Sequence, residues 1–145
     1  MNKINITVLG SGSKGNCTLV ETQNTKLLID CGFSARETVK RLESVGVNPN
    51  EINAILLTHE HKDHTAGVAT FAKKFEVPVF GNEISLAEYT RSNETPNIEF
   101  NDFKTDDFYF SPISDNCQWR FSTFPPQAVE VFRTGKKWLH MVSFF

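Results

Sequence analysis

Three of the chain's four histidines fall within six positions, in Thr58-His59-Glu60-His61-Lys62-Asp63-His64, the pattern H-x-H-x-D-H. Imidazole and carboxylate groups are metal ligands. With no thiolate nearby the set suits Zn²⁺, and Mn²⁺ or Fe would also be accepted. On a continuous helix His59 and His61 would point about 200° apart and could not share an ion. In an extended segment leaving a strand, positions i and i+2 face the same way. Asp63 and His64 can then aim at a second metal position beside the first. The plainer alternative is a solvated polar loop with Asp63 capping the next helix. Four ligand-type residues in six positions weigh against it.

Such a loop must be held at both ends. Ala54-Ile55-Leu56-Leu57 is a short apolar run that predicts a strand buried on both faces, and it delivers the chain to Thr58. Beyond the motif a helix is expected from about Thr65, with Val68, Phe71, Ala72 and Phe75 at i, i+3, i+4 and i+7 and Pro78 as its stop. Val79-Phe80 begins another strand, and a weaker helix is expected over Ile84 to Tyr89. Upstream, Ile4 to Leu9 alternates as a half-buried strand does. Cys17 to Thr22 and Lys26 to Asp30 read as strands joined through Gln23-Asn24. Ser34 and Glu37 have capping-box spacing, Ala35, Val39 and Leu42 repeat at i, i+4 and i+7, and Gly46 is placed to end that helix. The order of elements is that of an α/β fold.

Gly10-Ser11-Gly12-Ser13-Lys14-Gly15-Asn16 fits G-x-G-x-x-G after a strand, with Asp30 twenty residues beyond Gly10. A dinucleotide-binding site needs a helix starting at the third glycine, so that its N-terminus faces the pyrophosphate. The residues between Gly15 and Asp30 are β-rich and broken by a turn. The segment is therefore expected to be a tight loop between sheet strands.

The chain has 145 residues, 15 Lys+Arg against 17 Asp+Glu, and a formal net charge of −2. That balance excludes a disordered chain and disfavours binding through broad, nonspecific nucleic-acid electrostatics. No apolar run approaches the ~20 residues of a membrane span. Cys17, Cys31 and Cys117 are too few and too scattered for a disulfide framework, so they are expected to be packing residues in a reducing cytoplasm.

On the H-x-H-x-D-H segment, the preceding Ala54 to Thr58 and the upstream Leu27-Leu28-Ile29-Asp30-Cys31-Gly32, the chain resembles the metallo-β-lactamase superfamily of metallohydrolases. The opening Leu9 to Asn16 looks most like the bacterial WalJ/YycJ group, single-domain members described as exonuclease-like. The resemblance covers about Ile4 to Pro112. It implies an α/β (α+β sandwich) fold of αββα type with a dinuclear Zn²⁺ site on one edge. His59 and His61 would bind the first metal, and Asp63 and His64 the second. Asp63 would also orient a metal-bound hydroxide and assist proton transfer. Bound metal lowers the pKa of water towards ~7. Asp30 matches the family's buried acidic position, a partner that orients the site. The implied substrate is an anionic phosphodiester or nucleic acid, and Lys14, Arg36, Lys40 and Lys62 are compatible with one.

The resemblance also implies a third histidine, a bridging aspartate and a final histidine. Pro112-Ile113-Ser114-Asp115 lacks the histidine expected there. His140 stands in no supporting motif, and Asp102, Asp106 and Asp107 come in the wrong order. Nine of the 13 phenylalanines fall in the last third. The expected organisation is the N-terminal part of the fold over 1–112 and a divergent Phe-rich tail over 113–145, through premature termination or a frame change near Ser114. Two functions follow as expectations. One is metal-dependent phosphodiester hydrolysis, weakened by missing ligands. The other is a non-catalytic metal-binding or interaction fragment that self-associates through an exposed sheet face.

Overall fold

In the computed structural model, which describes residues 4–103 and the backbone of 108–110, 118–122, 128–131 and 139–142, six strands form one sheet in chain order. They are β1 (Asn5–Gly10), β2 (Cys17–Glu21), β3 (Lys26–Ile29), β4 (Ala54–Leu57), β5 (Val79–Asn82) and β6 (Phe100–Phe103). The β1–β2 and β2–β3 pairs are antiparallel, and every pair from β3 to β6 is parallel. Parallel neighbours need crossovers. Helix α1 (Ala35–Ser44) lies between β3 and β4, α2 (Lys62–Thr65) and α3 (Val68–Phe75) between β4 and β5, and α4 (Glu83–Ser92) between β5 and β6.

All four residues of β4 are buried, as its unbroken apolar run requires. Leu19, Leu28, Ile55, Leu57, Val79, Leu42, Val68 and Phe71 form the heart of the core. Strand β1 departs from expectation. Ile6 and Val8 are 43% and 63% exposed, and Leu9 is the residue turned inward. Its apolar alternation marks a face without meeting the core.

Helix α1 closes as the sequence suggests. Gly46 adopts φ +79°, its N–H donates to Glu43 O, and Val47 N–H donates to Leu42 O, a Schellman arrangement. Its start is only half a capping box. Ser34 Oγ accepts from Glu37 N–H, while Glu37 Oε1 accepts from Arg41 Nε at 2.8 Å. Helix α3 stops at Phe75, with Glu76 in the left-handed region at φ 54°, before Pro78 is reached. Helix α4 extends well past Tyr89.

Four further strands, β7 (Phe108–Phe110), β8 (Gln118–Ser122), β9 (Ala128–Val131) and β10 (Leu139–Val142), pair antiparallel in the order β10-β9-β8-β7. Phe108-Tyr109-Phe110, Val129 to Arg133 and Trp138 to Val142 read as strands in the sequence, which accounts for three of them. Strand β8 was not anticipated, although Trp119 and Phe121 alternate there with Gln118, Arg120 and Ser122. Two sheets with strand–helix alternation make the α/β class expected. The 112–115 segment, Asp106, Asp107 and Cys117 lie outside the described residues.

Candidate metal centre

Asp30 immediately follows β3, in the left-handed region at φ 60°, and is buried. Aspartate tolerates that conformation better than most residues. Its Oδ1 accepts Thr58 N–H at 2.8 Å, and its Oδ2 accepts the Thr58 hydroxyl at 2.7 Å. The same Oδ2 lies 2.6 Å from His64 Nδ1. A carboxylate only accepts, so His64 carries its proton on Nδ1 and its lone pair on Nε2. The Thr58 proton is committed to Asp30. Thr58 Oγ1, 3.0 Å from His59 Nδ1, therefore accepts from that nitrogen, which puts the His59 lone pair on Nε2 as well. One buried carboxylate thus sets the tautomer of two histidines, the second through a hydroxyl.

Backbone geometry brings the other groups in. His59 to His61 follow a bend at Thr58 after β4, and the rings of His59 and His61 meet edge-on with centroids 4.6 Å apart. The His59 and His64 centroids are 4.0 Å apart. The helical turn begins at Lys62, inside the motif rather than near Thr65, and its N-cap residue is His61, with no side-chain cap bond. Asp63 therefore does not cap the helix. It sits in the first turn next to His64, and its Oδ2 is 3.5 Å from His64 Nε2. Thr65 Oγ1 ties the turn back to the Glu60 and His61 carbonyls.

The segment after β3 locks this turn in place. Cys31 N–H donates to His64 O at 2.9 Å, and Gly67 N–H donates to Cys31 O at 2.9 Å. A Cβ on Gly32 would overlap the Asp63 carbonyl oxygen and crowd Asn16 N, so only glycine fits there. Cys17 and Cys31 are buried thiols whose pKa values burial raises, that of Cys31 to about 12, which makes them packing groups.

The glycine-rich loop runs directly into β2 with no helix, so the dinucleotide pattern is a coincidence of spacing. The loop nevertheless belongs to the centre. Gly15 has φ +150°, and a Cβ there would lie 2.6 Å from the Phe33 ring, over which Arg41 stacks at 4.0 Å. Asn16 N–H donates to Asp63 O at 2.7 Å. Its side-chain Nδ2 lies 3.1 Å from Asp63 Oδ2 and 3.2 Å from His64 Nε2.

All five residues singled out from the sequence, His59, His61, Asp63, His64 and Asp30, are therefore neighbours. Asn16 and Thr58 join them and were not expected to have roles. Asn16 closes a glycine loop and Thr58 precedes the first histidine, but neither position announces its partners. Burial, then the neighbouring His64, lowers the His59 pKa, which favours its neutral imidazole. His61 is the open member, its side chain 70% exposed.

The donors could hold ions as two pairs, His59 with His61 and Asp63 with His64. Among the described residues no three His, Cys, Asp or Glu side chains come together tightly enough to enclose one ion. The donor chemistry nevertheless fits a metal: imidazoles with assigned tautomers, one oriented by a buried carboxylate, beside an acidic side chain. Asp102 lies in β6 and is exposed. His140 is backbone-paired opposite Glu130, and its side chain lies outside the described residues.

A family model of the metallo-beta-lactamase superfamily matches residues 10–128. The chain belongs to the metallo-beta-lactamase superfamily. It is 41% identical over 80 residues to the exodeoxyribonuclease YycJ of Bacillus anthracis, covering 55% of this chain and 30% of that protein. A ribonuclease Z of Methanopyrus kandleri is 34% identical over 103 residues, covering 59% of this chain and 36% of the relative. The matched region thus spans about a third of those relatives' length. Among solved structures, the metallo-beta-lactamase fold protein YhfI of Bacillus subtilis superposes with a TM-score of 0.72 at 19% identity, over 94% of this chain and 60% of that one. The subclass B3 metallo-beta-lactamase BJP-1 of Bradyrhizobium japonicum gives 0.70 at 19%, over 94% and 57%. These superpositions establish the fold. Among the described residues no helix is long and apolar enough to cross a membrane.

Proposed function

We propose that the chain carries the metal-binding part of a hydrolytic centre for phosphodiesters, with DNA the favoured substrate. His59 and His61 contribute to one ion and Asp63 and His64 to a second, with Zn²⁺ the preferred occupant and Mn²⁺ or Fe accepted. The observation that carries the reading is the Asp30 network, which fixes both His59 and His64 as Nε2 donors. The relatives named exodeoxyribonuclease and ribonuclease Z support a nucleic-acid substrate.

A bound ion supplies acidified water and stabilises charge developing on the phosphoryl oxygens. The chain's own residues do the rest. Asp30 keeps the His64 proton on Nδ1, away from the ligating edge. Thr58 does the same for His59. Asp63, partly exposed beside His64, holds the attacking water and receives its proton at a carboxylate oxygen. The 1–112 region carries all of these groups and is the proposed functional unit. The buried free thiols Cys17 and Cys31 support a reducing compartment, the cytoplasm.

The test is hydrolysis of a generic phosphodiester and of linear DNA with added Zn²⁺ or Mn²⁺, with His61→Ala as control. Metal-dependent hydrolysis abolished by His61→Ala is expected. Hydrolysis that survives the substitution would place the activity elsewhere. A second reading, a non-catalytic fragment that self-associates, draws on the exposed Ile6 and Val8 of β1, the end strand of its sheet. A monodisperse monomer in sedimentation would eliminate it.

A further inference from the structure

We infer that Asn16 is a positioning residue of the second metal position, its side-chain amide holding Asp63 and His64 convergent. The inference rests on the assignment of Asp63 and His64 as ligands of one ion.

Geometry carries the argument. Asp63 Oδ2 and His64 Nε2 are 3.5 Å apart, and both are acceptors, because His64 donates through Nδ1 to Asp30. Two acceptors this close repel unless something electropositive sits against both. Asn16 Nδ2 is such a group, at 3.1 Å from the carboxylate oxygen and 3.2 Å from the ring nitrogen. An NH₂ group presents two protons, and an ion shared by the same atoms would present positive charge to the same two lone pairs.

The amide can also withdraw at little cost. Its two protons face four acceptors, since Gly12 O lies at 2.9 Å and Asp63 O at 3.3 Å in addition to the two ligand atoms. When an ion claims His64 Nε2, the amide keeps Gly12 O and its hold on Asp63. Asn16 is itself fixed. Its Oδ1 accepts Gly12 N–H at 3.0 Å, its N–H donates to Asp63 O, and its carbonyl accepts Gly32 N–H. The glycine-rich loop therefore delivers one side chain to one place, and preorganisation outweighs competition with the ion.

The experiment compares the full chain with Asn16→Ala and Asn16→Asp. Metal stoichiometry and affinity are read by competition with a chromophoric chelator using Zn²⁺ alone, and histidine tautomers by ¹⁵N NMR of the metal-free proteins. In the wild type, His64 is expected as the Nδ1–H tautomer with a hydrogen-bonded Nε2. In Asn16→Ala the Nε2 resonance should move to the position of a ring nitrogen lacking that bond. Affinity for one ion should weaken about 10- to 100-fold, the range for partners that orient ligands, while the other ion binds as before. Unchanged ¹⁵N shifts and unchanged affinities in Asn16→Ala would overturn the inference and leave the ligand assignment standing. A wild type that takes up no Zn²⁺ would overturn both. If Asn16→Ala does not fold, Asn16→Asp keeps the shape and the Oδ1 bond to Gly12. A His64 Nε2 resonance unchanged in that variant would equally refute the role.

Discussion

Asp30 and His64 are joined by a 2.6 Å hydrogen bond across 34 residues of sequence, between the end of β3 and the first turn of α2. Both side chains are buried, about 5% and 6% exposed. The same carboxylate oxygen receives the Thr58 hydroxyl, so one atom sets the orientation of two imidazoles. A histidine oriented this way by a carboxylate is a stronger and better aimed ligand than a free one.

Replacing Asp30 with Asn tests this directly. Asparagine tolerates the left-handed backbone, so the change acts through hydrogen bonding. One carboxylate oxygen becomes an NH₂ facing donors already aimed at it. The expected loss is about 1–3 kcal/mol of stability in the metal-free protein, with metal affinity falling about 10- to 100-fold. Urea unfolding reads the first and chelator competition the second.

Thr58→Val keeps the shape and removes the hydroxyl. His59 Nδ1 then has no Thr58 oxygen to donate to, and Asp30 loses one of its donors. A stability cost of about 1–2 kcal/mol is expected. The ion bound by His59 should weaken more than the ion bound by Asp63, because His64 keeps its direct bond to Asp30. Stepwise zinc titration distinguishes the two.

Gly32→Ala places a methyl group against the Asp63 carbonyl oxygen, a backbone atom with no rotamer to escape into. At least about 1–3 kcal/mol should be lost, as for overpacking generally. The cost should not be confined to the global melt. Amide exchange at Cys31 and Gly67 should quicken first, because their hydrogen bonds lock the same strip of chain.

The metal-free protein should also carry a pH signature. Burial and the neighbouring His64 lower the His59 pKa below its usual 6.5. Between the lowered folded value and the unfolded one, the unfolded chain binds more protons. Stability therefore rises with pH through that window and is lost as pH falls below about 6.5. Urea midpoints measured from about pH 8 to pH 5 should decline on the acid side, and less steeply in His59→Gln. Equal slopes in the two proteins would show that His59 is not the group responsible.

What could be read from the sequence was what is local in it. H-x-H-x-D-H lies within six residues, and the apolar run before it is a strand because its four side chains are all buried. Asp30 stands out only through the resemblance of Leu27 to Gly32 to the superfamily. Asn16 and Thr58 do not stand out, because their roles depend on chain segments that meet only in the fold. Asn16 touches residues 47 and 48 positions away. The loop's glycines imitate a phosphate-binding fingerprint, although here they admit the Phe33 ring and turn an asparagine inward. The short α2 has no signature in the sequence for a related reason. Charged and histidine side chains look like a loop, and only the turn's ties to Cys31 and Thr65 make it helical. Strand β1 shows the reverse error, a sound alternation whose apolar side does not face the core.

The strip in which Asn16, Cys31, Gly32 and Gly67 clasp the α2 turn is made of main-chain hydrogen bonds and carries no ligand of its own. Its consequence concerns what can be exchanged on the turn. Each bond of the clasp joins backbone atoms, so a ligand side chain on α2 can be replaced without removing any of them.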